Sequence, residues 1–161
     1  MLAGITDGMD RVGWGSDVQV LAVETKGADS LHQSMKAGQL VTIPRITSIA
    51  SSLGVSRVCK RAFDLLSRKN VTSLVLEDAE AAMACWRLAD DERIIVEPAC
   101  GVSVALAYDN RLPHFLRGFD KDKKVITVVC GGSKISVDTL VQYKARYGER
   151  ARELAEMWNR S

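Results

Sequence analysis

Apolar positions recur along the chain in short blocks, and the polar residues between them set alternating strand and helix lengths. Val18 to Glu24 (VQVLAVE) is a β-branched apolar run, the pattern of a strand covered on both faces. A Gly-Ala-Asp-Ser turn leads into a predicted helix from about Asp29 to Ala37, with Asp29 or Ser30 as its cap and Gly38 as its stop. Leu40 to Ile46 reads as loop around Pro44. Thr47 to Leu53 reads as a short helix closed by Gly54, and Val55 with Val58 as a brief strand. Lys60 to Arg68 has an amphipathic helical pattern and Thr72 to Leu76 a strand pattern. Asp78 to Ala89 is alanine-rich helix capped by Glu77 or Asp78. Pro98 suits the first turn of a helix running to about Asn110. Val125 to Val129 (VITVV) is the strongest strand pattern of all. Ile135 to Arg160 reads as helix, with Gly148 a point of interruption. Strands alternating with helices predict an α/β layered fold with a mostly parallel sheet flanked by helices.

The start is unusual for such a chain. MLAGITDGMDRVGWG reads as a helix closed by Gly13, with no strand feeding it. Two readings stand: a helix-first domain, or a piece of a longer protein.

Composition narrows the function classes. The 22 basic and 20 acidic residues leave a net charge of +2, which excludes a strongly basic nucleic-acid binder. With 47% hydrophobic and 26% charged residues, the 161-residue chain has the balance of one folded domain. No apolar run reaches the ~20 residues that cross a bilayer, and no secretory leader is visible. The cysteines Cys59, Cys85, Cys100 and Cys130 are scattered, without a C-x-x-C pair, and read as reduced thiols of a cytoplasmic protein.

Three segments could carry chemistry. In VVCGGSKIS (Val128 to Ser136) a strand runs into two glycines and a serine before a helix, an arrangement that admits a ligand close to the backbone or simply makes a turn. In VEPACGVSVALAY (Val96 to Tyr108), Cys100 lies in a helix's first turn, where the macrodipole lowers a thiol's pKa. It reads either as a nucleophile or as a small buried residue packing helix on sheet. Glu97 reads as a partner of the helix start. In VETKGADSLHQS (Val23 to Ser34), Glu24 ends a buried strand, where a carboxylate needs donors or a cation. With carbonyls of the Gly27-Ala28 turn it could hold a hard cation; the alternative is a capped turn. His32 has no metal-ligand neighbour, and the spacing excludes a zinc site.

Taken together, VETKGADSLHQSMKAGQLVTIPRITSIASSLGVSRV, DDERIIVEPACGVSVALAY and VVCGGSKIS resemble the C-terminal part of the L-serine dehydratases. These are pyridoxal-phosphate enzymes of the tryptophan-synthase β-subunit type, and the resemblance runs from Met1 to about Tyr147. It implies that residues 1–161 are a single partial domain, most of the second half of a large cofactor domain. It implies that Cys130 faces the cofactor's pyridine nitrogen, that Gly131 and Gly132 permit that approach, and that Ser52 packs against the ring. It implies a monovalent-cation site, of the potassium type, at Glu24, Ala28, Leu53 and Val55, built mostly from backbone carbonyls. The implied reaction is β-elimination of L-serine or L-threonine to a 2-oxo acid and ammonia. A neutral thiol at the pyridine nitrogen makes a weaker electron sink than an aspartate would, which suffices for loss of a β-hydroxyl. The implied partners are a small amino-acid substrate and a second copy in a homodimer, with no nucleic acid and no membrane.

The sequence departs from the family pattern in four respects. The Schiff-base lysine in its Ser-x-Lys segment, the tetraglycine phosphate loop and the small domain have no counterpart here, and Lys134 stands where relatives commonly carry asparagine. The expectation is an enzyme by descent, truncated and inactive as this chain alone. The competing reading is a non-catalytic module that binds a full-length relative. A third is another activity of the same fold, such as threonine deaminase or cysteine synthase, against which the cysteine of VVCGGS argues.

Overall fold

The first strand and the second pair side by side because both are short, β-branched and followed by helices that return the chain over the sheet. The computed structural model describes residues 1–160. Its elements in order are α1 (Leu2–Arg11), β1 (Val20–Thr25), α2 (Ser30–Ala37), α3 (Lys60–Asp64), β2 (Val71–Leu76), α4 (Asp78–Glu92), α5 (Pro98–Val104), α6 (Leu112–Phe115) and α7 (Val137–Arg160). Short 3₁₀ turns follow α3 and α5, at Leu65–Ser67 and Ala105–Ala107. β1 and β2 are parallel, in a register that sets Val20 beside Val71 and Thr25 beside Leu76. A parallel pair requires a crossover, and residues 26–70 with α2 and α3 supply it.

The core lies where α4 meets α5 and α7. Ala81, Ala82, Cys85, Val96 and Val102 have no accessible surface. Alanines on α4 let α5 approach closely, and Gly101 completes the fit. A Cβ at Gly101 would collide with the Ala81 carbonyl oxygen and the Cys85 sulfur. Burial pushes the Cys85 thiol up to about 12, so it packs as a neutral apolar group.

Several sequence expectations give way to tertiary contacts. Thr47 to Leu53 is not helical but a run of bends and turns. Its backbone is claimed by α4: the Ile49 N–H donates to the Asp78 carboxylate at 3.1 Å, and the Ala50 N–H to Ser48 Oγ at 2.9 Å. Those bonds compete with helical ones. Val55 and Val58 form no strand. Lys60 to Arg68 tightens into 3₁₀ geometry after Asp64. The helix from Pro98 stops short of Asn110, because Asp109 and Asn110 take left-handed backbone angles (φ 56° and 53°) that turn the chain into α6. The pattern at 125–129 also fails to become a ladder. Ile126 is 79% exposed there, and a strand needs a partner whose backbone groups it can bond; none lies beside it among the described residues. α7 runs without a break through Gly148.

Two glycines therefore have opposite expected responses to alanine. Gly101→Ala should lower unfolding free energy by about 1–3 kcal/mol through overpacking of α4 against α5. Gly148→Ala, with open space around its Cβ, should raise it by about 0.5–1 kcal/mol, the usual helix-interior gain over glycine. Urea unfolding monitored by circular dichroism measures both.

Candidate functional site

Two clusters gather the residues singled out from sequence, one at the start of α5 and one at the end of β1. At the first, Pro98 occupies the opening turn of α5 behind Glu97. The Glu97 N–H donates to the Gly131 carbonyl at 3.0 Å, and the Ser52 hydroxyl donates to the Glu97 carboxylate at 2.9 Å. The Cys130 N–H points at Cys100 Sγ, 3.3 Å away. Ser52, Cys130 and Gly131, from segments far apart in sequence, thus meet at one helix end. Gly132 is fixed from behind: a Cβ there would stand 2.6 Å from the Ile95 carbonyl oxygen and 2.9 Å from Val96 Cα. Gly131 differs, since a Cβ there would meet nothing within 4 Å. The Cys130 thiol is exposed beside that open space, 3.9 Å from Met1 Sδ. Lys134 is exposed further along the same segment.

Of the two readings of Cys100, the small buried packing residue is the one the structure bears out. Burial raises its thiol pKa, outweighing the N–H groups of Cys130 and Gly131 that pull it down. Cys100 is a neutral packing residue that also holds the 130–131 backbone.

At the second cluster, Glu24 is buried at the carboxyl end of β1. Its two oxygens accept the Leu31 N–H at 3.0 Å and the His32 N–H at 2.8 Å. Glu24 thereby caps α2 from another element. Asp29, at the N-cap position, makes no cap bond; its carboxylate takes the Gly27 N–H and the Gln33 amide instead. The Gly27-Ala28 turn is tied to the 47–55 loop by the Thr47 N–H, which donates to the Gly27 carbonyl at 3.0 Å. Ala28 is fully buried, Leu53 packs on the core, and Val55 is half exposed. So Glu24 and Ala28 share one turn, and Leu53 and Val55 lie further along the loop docked against it.

Asp78 is the residue that sequence reading underrated. Taken there only as a candidate helix cap, it accepts the Ser48 hydroxyl at 2.5 Å, and Thr25 Oγ1 lies 2.7 Å from Ser48 Oγ. With the Ser48 proton committed to Asp78, Thr25 donates to Ser48. One chain of bonds therefore ties β1, the loop and α4.

Residues 1–131 match a protein family described as pyridoxal-phosphate dependent enzymes. The chain is 43% identical over 152 residues to the L-serine dehydratase/L-threonine deaminase of Bos taurus, covering 92% of this chain and 46% of that protein. It is 41% identical over 151 residues to the Homo sapiens protein of the same name, with the same coverage. The chain thus spans about half the length of the curated relatives it matches. A fungal L-serine ammonia-lyase from Rhizomucor miehei superposes with a TM-score of 0.85 at 33% identity, over 89% of this chain and 45% of that one. The processed threonine deaminase isoform 2 of Solanum lycopersicum shares the fold, with a TM-score of 0.74 at 18% identity over 92% and 39% of the two chains. The parallel sheet with flanking helices is that of these tryptophan-synthase-β-like structures.

Burial raises the Glu24 pKa above its ordinary value, against the two N–H groups that lower it. Well below the ordinary carboxyl range the group is protonated in both folded and unfolded chains. As pH rises the unfolded chain ionises first, so stability falls until the folded carboxyl has also ionised. The stability of wild type relative to Glu24→Gln should therefore decline as pH climbs from about 4 to 7. A difference in urea midpoints that stays flat across that window would show that Glu24 ionises as it does in the unfolded chain.

Proposed function

The chain belongs to the pyridoxal-phosphate dependent enzymes, and we propose on that premise that it forms the ring-facing side of an L-serine/L-threonine ammonia-lyase. The reaction is elimination of the substrate's β-hydroxyl, ending in a 2-oxo acid and ammonia. The observation that carries this reading is the convergence of Ser52, Cys130 and Gly131 at the start of α5. The donor set fits one edge of pyridoxal phosphate: an exposed thiol beside a glycine with open space before it. When bound, the cofactor would supply an electron sink for the substrate's Cα.

The chain's own residues have distinct tasks in this reading. Cys130 would hold a neutral thiol at the pyridine nitrogen. Gly131 would leave room for the ring, and Gly132 would fix the approach of the loop. Ser52, its hydroxyl turned to Glu97, would present its methylene to the ring. Residues 1–161 form one partial domain, and turnover belongs to the whole family fold.

The proposal extends to a potassium-sized cation held by carbonyls of Glu24, Ala28, Leu53 and Val55. The Glu24 carboxylate is already occupied by α2, which leaves the main-chain oxygens as ligands and favours a weak site. The substrate is a small amino acid, the assembly a homodimer, and the compartment the cytoplasm. No helix among the described residues is long and apolar enough to cross a membrane.

Two measurements test these readings. The chain is grafted in place of the matching half of the Bos taurus relative, and pyruvate formation from L-serine is followed. The chimera should turn over, and Cys130→Ala should lower its kcat roughly tenfold, about 1.4 kcal/mol of barrier. A folded, cofactor-loaded chimera that makes no pyruvate, or is indifferent to Cys130→Ala, would overturn the assignment. For the cation, the melting temperature of wild type should rise slightly in potassium relative to tetramethylammonium, and most of that increment should survive in Glu24→Gln, which keeps the main-chain oxygen. Identical melting of both proteins in both salts removes the site.

A further inference from the structure

The stretch that carries Ser52 is a run of bends and turns, and two carboxylates hold it. Glu97 at the head of α5 accepts the Ser52 hydroxyl at 2.9 Å. Asp78 at the head of α4 holds the approach to Ser52, and neither the proposed ring contacts nor the proposed cation ligands include it. Its Oδ1 accepts the Ser48 hydroxyl at 2.5 Å and its Oδ2 the Ile49 N–H at 3.1 Å.

Ser48 passes the constraint on. Its oxygen accepts the Ala50 N–H at 2.9 Å and lies 2.7 Å from Thr25 Oγ1. Thr25, Ser48 and Ala50 are all buried. The Ala50 carbonyl then accepts the Leu53 N–H at 3.0 Å, and the Ser51 carbonyl the Gly54 N–H at 3.2 Å. Ser52 therefore lies inside a turn whose first residue hangs from Ser48, and Ser48 hangs from Asp78. A carboxylate is what this chain requires. An amide in its place would offer one acceptor oxygen and set an N–H against Ser48 or Ile49, which both donate there. Ser48 could then be satisfied only by turning its proton back on Thr25. Glu77, one residue earlier, bonds Arg150 of α7 instead, at 2.6 and 3.0 Å.

We propose that Asp78 is a positioning residue of the cofactor face: through Ser48 and the Ala50–Leu53 turn it holds Ser52 where that side chain packs on the ring. The role rests on the proposed assignment of Ser52 to the ring. Misplacing a positioned group by about 1 Å can cost on the order of a hundredfold in rate. Loss of Asp78 thus reaches the reaction although Asp78 touches neither ring nor substrate.

Two readouts test this, the first without catalysis. In the full chain, amide hydrogen exchange at Leu53 and Gly54 should accelerate about tenfold in Asp78→Asn and in Ser48→Ala, with Leu31 and His32 changing less than about twofold. A local response of that kind separates lost positioning from lost global stability. Glu77→Gln should leave Leu53 and Gly54 unchanged. In the chimera with the Bos taurus relative, Asp78→Asn and Ser48→Ala should each lower kcat about tenfold, with KM for L-serine within about twofold. The double variant should be no slower than either single one, because both act through one chain of bonds. Glu77→Gln should keep the unsubstituted kcat. Exchange at Leu53 and Gly54 that stays unchanged in both variants, or rises equally throughout the chain, would overturn the role. So would an active chimera whose kcat ignores both variants, whose two losses multiply, or which loses as much to Glu77→Gln. A chimera inactive before any substitution counts against the ammonia-lyase reading alone, and the exchange result then decides for or against Asp78.

Discussion

The close approach of α5 to α4 through Gly101 is the constraint on which the rest of the molecule hangs. Only a residue without a Cβ lets the α5 backbone lie against the Ala81 carbonyl and the Cys85 sulfur. That contact fixes the direction of α5, and both ends of the helix then acquire partners. Its start receives the Gly131 carbonyl on the Glu97 N–H and offers Cys100 Sγ to the Cys130 N–H. Its end, through the 3₁₀ turn, delivers Arg111 to Glu80 on α4. A shift of α5 by a fraction of an ångström would loosen the glycine loop and the buried ion pair together, because dense packing transmits displacement rather than absorbing it.

Carboxylates placed at helix starts do the remaining organisation. Free N–H groups in a helix's first turn need acceptors, and the dipole favours negative charge there. In this chain the acceptors come from elsewhere in sequence or reach elsewhere in space. Glu24 leaves β1 to cap α2, and Asp78 at the head of α4 holds the 48–50 loop. Glu97 at the head of α5 holds Ser52. Each joins a regular element to an irregular one, so the loop that carries Ser52, Leu53 and Val55 needs no secondary structure of its own. Its cost is desolvation of the acids, visible in the raised pKa of Glu24.

What could be read from the sequence follows from the range of the interactions involved. The alternation of strands and helices, the parallel sheet and the stops at Gly38 and Gly13 were legible because hydrophobic period and glycine conformation are local. Thr47 to Leu53 was misread as helix because its competitor, Asp78, lies some thirty residues away. VITVV at 125–129 has the composition of a strand, but composition supplies only propensity; the ladder needs a partner. Cys100 was legible as a small residue packing helix on sheet, and its burial raises its thiol pKa accordingly. The Glu80–Arg111 pair left no pattern at all, since two oppositely charged residues at that separation look like any two surface charges until the fold buries them.

The arrangement at Cys130 shows how a site can be exact without being rigid throughout. Its backbone is held by Cys100 Sγ on the N–H side, and the next carbonyl is held by Glu97. The side chain itself is left exposed. Two constraints on consecutive peptide units determine where Cβ points, and a cysteine has only one further heavy-atom torsion. The thiol can then take one of three staggered positions without disturbing the loop. A thiol proposed to meet a ring nitrogen would gain from this: the backbone would set the line of approach, and the sulfur would adjust along it. Burying the thiol would fix its position but close the space before Gly131. Exposure keeps that space open, and the cost of order falls on Cys100 and Glu97, which are both already held by α5.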